Sequence, residues 1–229
     1  MVWLLLVWFP ASLLSAGDAY QAQRDRMTAE QIEDRGVRSP EVLRAMRATP
    51  RHLFVPEAMR PQAYQDTPLP IGYGQTISQP YIVAVMTELL APAKAQKVLE
   101  VGTGSGYQAA VLSPLVGRLF SIEIVPELAK QSAELLKNLG YANVTVRQGD
   151  GYLGWPAEAP FDRIILTAAP PEIPKALLDQ LKPGGKLVAP VGASALDQEL
   201  VVIDKGSDGK IRERSVFPVR FVPMVRPGR

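Results

Sequence analysis

Glu100, Gly102, Gly104 and Gly106 stand at alternate positions in KVLEVGTGSGYQAAV, residues 97–111. Glycine at every second position lets a backbone turn sharply and approach a ligand with no Cβ in the way. The apolar run Val98, Leu99 and Val101 precedes the turn and reads as a buried strand; from Tyr107 onward the residues suit a helix. Strand, glycine turn and helix is how α/β domains meet a nucleotide-like ligand. The spacing is not the dinucleotide fingerprint G-x-G-x-x-G, because Tyr107 stands where its third glycine belongs. A second acid, Glu123, ends the next apolar run, LFSIE, roughly 20 residues on, where a ribose-binding carboxylate is expected. A carboxylate there accepts hydrogen bonds from both ribose hydroxyls.

The elements that must position these residues alternate from Lys97 onward. Strands are expected at 97–101, 118–124, 143–148, 161–167 and 185–190, with helices at 107–115, 126–139 and 174–181. The strand-like runs 200–204 and 215–223 flank the turn Ser207-Asp208-Gly209 and suggest an antiparallel pair. The expected fold class is α/β: a doubly wound, mostly parallel sheet with an antiparallel edge. Residues 24–60 look helical in pieces, with Ser39-Pro40 opening one helix, and pack as a cap. Residues 61–81 are rich in Pro and Gly and read as a long loop, a kind that is usually functional. Its end, GQTISQPY, sets Thr76 and Ser78 beside a proline-fixed turn, before a helix over 81–90. Alone, this tetrapeptide fits a serine bonding its own backbone as well as a serine facing a ligand.

Composition excludes several chemistries. The 229 residues include 25 basic and 23 acidic ones, a formal net charge of +2 that makes no electrostatic case for nucleic acid. There is no Cys, hence no disulfide, thiolate metal site or cysteine nucleophile. The single His, His52, leaves no His-rich metal site and would itself be needed for a Ser-His-Asp triad. In RHLFVP it reads as a packed structural histidine.

The stretch E-x-G-x-G-x-G resembles motif I of the class I S-adenosylmethionine (SAM) methyltransferases, whose loop lies along the amino acid and ribose of the cofactor. Further stretches sharpen the resemblance: PLPIGYGQTISQPYIVAVMTELL, GDGYLGWPAEAPFDRIILTAAP and LKPGGKLVAPVG, with RHLFVPEAMR upstream and VRFVPMV near the C-terminus. Together they resemble protein-L-isoaspartate O-methyltransferase over residues 24–226, and the loop with Thr76-Ile77-Ser78 is peculiar to that family. The resemblance implies a Rossmann-like methyltransferase fold and methyl transfer from SAM, leaving S-adenosyl-L-homocysteine, to the α-carboxylate of isoaspartyl residues. It implies that Gly102, Gly104 and Ser105 line the amino-acid end of the cofactor, with Glu100 and Ile124 in the same motifs and Glu123 on the ribose. Asp150 and Gly151 resemble the adenine contact; Gln75, Thr76 and Ile77 close over the cofactor, and Gln198 reaches it. Ser78 orients the substrate carboxylate, while Ala168 and Val222 wall the peptide site. Another class I methyltransferase with a different acceptor, or a non-catalytic SAM-binding module, are the alternatives. The expected partners are isoaspartyl proteins and peptides, the expected state a monomer, and no metal is called for.

Residues 1–16, MVWLLLVWFPASLLSA, carry no charge and suit a signal-peptide core better than a membrane span, which needs about 20 apolar residues. Small residues follow, so residues 1–19 are expected to be a cleaved leader and 20–229 one methyltransferase domain, with 20–92 its cap and acceptor loop and 93–229 its α/β core. That would place the mature protein in the periplasm or outside the cell, with no stable membrane insertion; otherwise it is cytoplasmic. A basic n-region is missing, and an uncleaved anchor or an extension that is not translated natively compete with this reading. N-terminal sequencing of protein from the native host should find a mature start near Gly17 or Tyr20; a product retaining Met1, or starting later in the cytosol, would refute export.

Overall fold

The computed structural model describes residues 19–194 and 196–228; the expected leader lies outside them apart from Ala19. Helix α1 (Gln21–Arg26) runs into a wider π-helical turn, Met27–Glu33, and α2 (Pro40–Ala48) follows. Ser39 caps α2 by accepting the Val42 N–H at 3.3 Å, with Pro40 in the first turn, where its missing N–H costs nothing. Within the expected loop the chain folds back on itself as a hairpin, β1 (Leu69–Gly72) and β2 (Gln75–Ile77). The pattern concealed it because Gly72, Tyr73 and Gly74 all take positive φ at its tip and the strands are very short. Helix α3 (Pro80–Leu90) comes next, ending at Ala91 in a left-handed conformation.

The α/β part runs β3 (Lys97–Val101), α4 (Tyr107–Leu112), β4 (Arg118–Glu123), α5 (Pro126–Asn138), β5 (Val144–Gln148), β6 (Phe161–Leu166), α6 (Lys175–Gln180), β7 (Leu181–Val191), β8 (Gln198–Lys205) and β9 (Ile211–Val219). The sheet order is β5-β4-β3-β6-β7-β8-β9, parallel from β5 through β7 and antiparallel at β8 and β9. Alternate residues serve opposite faces. Val98, Leu119, Ile165, Val188 and Val202 pack with α3, α4 and the N-terminal helices, whereas Leu99, Phe120, Ile164, Leu187 and Val201 pack with α6. Burial on both faces explains why the central strands read as continuous apolar runs. The N-terminal helices belong to the first of these cores through Met27, Val42, Met46 and Phe54, the last set edge-on to Tyr107 at 5.6 Å. His52 is buried there, its Nδ1 2.7 Å from the Tyr64 hydroxyl and its ring stacked on Tyr20.

Two strands depart from expectation by more than two residues. Strand β7 starts at Leu181, because a register break opposite Phe161 and Arg163 lets the Pro-Gly-Gly stretch stay in the ladder. Strand β9 spans 211–219 rather than 215–223. Its charged half, Ile211-Arg212-Glu213-Arg214, lies exposed on an edge and pairs through its backbone, so no apolar run marks it. The apolar residues beyond Val219 leave the sheet instead. Phe221 N–H donates to Gln198 Oε1 at 2.6 Å and its carbonyl accepts from Gln198 Nε2 at 3.2 Å. The Ala169 backbone then takes Val222 O at 2.9 Å and Met224 N–H at 2.8 Å, drawing residues 220–224 across the carboxyl ends of the strands.

Candidate active site

Adjacent central strands β3 and β4 connect to helices through turns at their carboxyl ends, where open α/β sheets bind ligands. After Val101 the chain takes φ of +101° at Gly102, +51° at Gly104 and +87° at Gly106. A Cβ at Gly102 would lie 2.4 Å from Thr167 Oγ1, so only glycine passes there. The Thr167 hydroxyl donates to the Gly102 carbonyl, holding the turn against the end of β6. At the end of β4 the Glu123 carboxylate is 5 % exposed and bonded to backbone through both oxygens: Oε2 accepts Gly104 N–H at 2.7 Å and Oε1 accepts Val125 N–H at 2.9 Å. One acid thus pins the glycine turn to its own loop, and each oxygen keeps a lone pair for a further donor.

Glu100 lies beneath the turn, fully buried. The β3–β4 register sets it opposite Ser121, whose hydroxyl donates to Glu100 Oε2 at 2.5 Å and lies 2.6 Å from Thr103 Oγ1. Its Oε1 is buried without a partner among the described residues. Burial pushes the Glu100 carboxyl up to about 8, opposed by the Ser121 hydrogen bond and assisted by nearby Glu123.

A cavity of about 800 Å³ opens above the turn. Gln75, Thr76, Ile77 and Ser78 line it from β2 and the segment after it, Gly102, Gly104 and Ser105 from the glycine turn, and Glu123 and Ile124 from the end of β4. Gly151, Ala168 and Val222 complete the set of expected residues that the fold brings together. A Cβ at Gly151 would lie 2.3 Å from Val101 Cγ1, so that wall also requires glycine. Three expected residues do not line the cavity. Glu100 is below it. Asp150 caps the turn Gly151–Leu153 by accepting Tyr152 N–H at 2.9 Å and faces Arg226 at 3.8 Å. Gln198 is spent on the Phe221 backbone and lines a second cavity of about 1180 Å³. Thr76, Ser78, Thr167 and Val222 are shared by the two cavities and form the partition between them. The Ser78 hydroxyl makes no hydrogen bond among the described residues, its own backbone included, which disfavours the turn-residue alternative.

Thr103, Thr167, Met224 and Val225 also line the first cavity and were not singled out from sequence. Thr167 sits directly after an apolar strand, a position that could have flagged it. Met224 and Val225 carry no polar signal; only the Ala169 bracket brings them in.

The glycine-lined approach and the carboxylate with two unused lone pairs fit a nucleoside-bearing ligand such as SAM. The sequence profile of protein-L-isoaspartate(D-aspartate) O-methyltransferase matches residues 22–228. The chain belongs to this family. Isoaspartate methyltransferases similar to it include one from Synechococcus sp., 54% identical over 92% of this chain and 88% of its own, and one from Syntrophobacter fumaroxidans, 55% identical over 90% and 95%. A solved protein-L-isoaspartate O-methyltransferase superposes with a TM-score of 0.78 at 29% identity, covering 87% of this chain and 65% of its own. A Plasmodium falciparum protein assigned as an isoaspartate methyltransferase, crystallised with S-adenosyl-L-homocysteine, gives 0.74 at 25% identity over 88% and 98%.

The buried acid beneath the methyltransferase turn makes stability depend on pH. With a folded value near 8 against 4.5 in the unfolded chain, Glu100 favours folding fully below pH 4.5 and loses that contribution as pH rises to about 8. The slope is at most about 1.4 kcal/mol per pH unit. Glu100→Gln cannot ionise, so its denaturant-melting stability should fall less than wild type between pH 5 and about 8; parallel curves would show that Glu100 titrates normally.

Proposed function

We propose that this chain is a repair enzyme that methylates the free α-carboxylate of L-isoaspartyl residues in damaged proteins and peptides, with SAM as methyl donor. The observation that carries the reading is the partition: Ser78, whose hydroxyl makes no hydrogen bond among the described residues, lines both the cavity over the glycine turn and a second one beside it. Bound SAM supplies an electrophilic methyl on a sulfonium, and S-adenosyl-L-homocysteine is left behind.

The residues of the chain do the positioning. Glu123 takes the ribose hydroxyls on its remaining lone pairs, and the glycine turn with Ser105 follows the amino-acid end. Gln75, Thr76, Ile77 and Ile124 enclose the donor, with Gly151 at the adenine end and Asp150 fixing the turn that presents it. Gln198 acts through Phe221 and Glu100 through Ser121, neither by touching the donor. Ala168 and Val222 bound the acceptor side.

The substrate carboxylate is ionised at neutral pH and is already nucleophilic, so no general base is required. The Ser78 O–H donates to one of its oxygens, and the other attacks the methyl carbon in line with the departing sulfur, a gain of alignment rather than activation. A neutral donor suits this step, because a charged clamp would stabilise the ground state. The ester then loses methanol when the following amide nitrogen closes a succinimide, which water opens partly to normal aspartate. That later chemistry needs no enzyme.

The domain division, cap 20–92 and core 93–229, and export of the mature chain belong to the same proposal; the uncharged apolar segment 1–16 supports export. Among the described residues no helix is long and apolar enough to cross a membrane.

Methyl transfer to a synthetic isoaspartyl peptide, with the aspartyl peptide as control, tests the activity directly; no transfer to the former would refute it. Glu123→Ala should weaken binding of S-adenosyl-L-homocysteine by about 1–3 kcal/mol in calorimetry, and an unchanged affinity in a folded variant would remove its ribose role. Ser78→Ala should reduce turnover, by up to about 100-fold if alignment is lost, with little change in cofactor affinity. A wild-type rate at all peptide concentrations would return Ser78 to being a turn residue.

A further inference from the structure

The second cavity has a charge pattern that methyl transfer does not use. Arg220 is the one charged side chain among the described residues that line it. It is exposed, and neither an ion pair nor a hydrogen bond engages its guanidinium among the described residues. No acid lines this cavity among the described residues. Asp66 pairs with Arg35 and accepts Gln79 Nε2 at 2.6 Å, Glu199 accepts the Ser215 hydroxyl at 2.7 Å, and Asp197 does not line the cavity.

The backbone beside Arg220 is nonetheless held in place. Gln198 grips both backbone groups of the next residue, Phe221, and Ala169 takes the carbonyl of Val222, so the segment carrying Arg220 is bracketed from two sides. Arg220 lines only the second cavity and is absent from the first, whereas Ser78 lines both. Arg220 therefore borders the cavity on the far side of Ser78 from the donor, the side that the methyltransferase reading gives to the acceptor.

We propose that Arg220 sets substrate preference by charge, favouring isoaspartyl peptides with an acidic side chain close to the modified residue over those with a basic one. The inference rests on the methyltransferase reading above. An unpaired cation on a concave wall attracts a carboxylate, repels an ammonium, and does both less as salt rises.

The test compares kcat/KM of the full chain at saturating SAM for three isoaspartyl peptides carrying Glu, Gln or Lys on both sides of the modified residue. Wild type should prefer the Glu over the Lys peptide by about fivefold at low ionic strength, and by less in about 0.5 M salt. R220Q should level the series and R220E should reverse it. Calorimetric affinity for S-adenosyl-L-homocysteine, equal in all three proteins, shows that each is folded. An unchanged Glu-to-Lys ratio in R220E would overturn the proposal. So would a loss in R220Q that is equal for all peptides, which would mark a grip on the reacting carboxylate. A wild type that methylates all three peptides equally defeats the role of Arg220 alone; one that methylates none defeats the activity itself.

Discussion

The pair of backbone hydrogen bonds on Glu123 is the constraint from which the rest of the site follows. One comes from Gly104, in the turn after β3, and the other from Val125, in the chain after β4. A single carboxylate therefore ties together the loops of two adjacent parallel strands. Each strand end is fixed by its ladder, and the loops are fixed by the acid. A turn with three glycines at positive φ would otherwise sample many conformations, since glycine gives up more freedom on ordering than any other residue. The contact lowers that freedom before any ligand arrives, which is what preorganisation means for a binding loop.

Around this anchor the walls come from distant segments joined by backbone and short side-chain bonds. Thr167 fastens the glycine turn to β6, and Ala169, two residues later, fastens residues 222–224. On the other side Ile71 of the β1–β2 hairpin lies 3.4 Å from where a Gly104 Cβ would be. The N-terminal helices reach the same region through Arg51, whose Nε donates to Ala63 O at 2.8 Å and whose guanidinium stacks over Tyr107 at 4.8 Å. Burial lowers Arg51 to about 10, so it remains a cation at neutral pH.

The central strands were legible in sequence because their burial on both faces leaves uninterrupted apolar runs, and the helices because Ser39-Pro40 and Pro126 mark their starts. The glycine turn and Glu123 were legible because type and spacing coincide. What escaped was structure without a periodic signature. The β1–β2 hairpin is too short to alternate, and the charged half of β9 is held by its ladder on an exposed edge. The placing of Gln198 was hidden for another reason. Its side chain faces a residue more than twenty positions away, and nothing local says which cavity that residue borders. Met224 and Val225 reach the donor side only because Ala169 holds their backbone, a long-range pairing that composition does not encode.

The bracket at Ala169 also sets an order of events in the cell. Residues 222–225 follow every strand along the chain, yet they line the same cavity as the turn after β3. A nascent polypeptide emerges amino end first, so the parallel strands can pair while this wall is still inside the ribosome. Such a chain has its parallel strands, and the contact between Gly104 and Glu123, but not the wall that residues 222–225 supply. Methyl-donor binding therefore waits on a segment that comes after all the strands, long after the glycine turn it completes has been made.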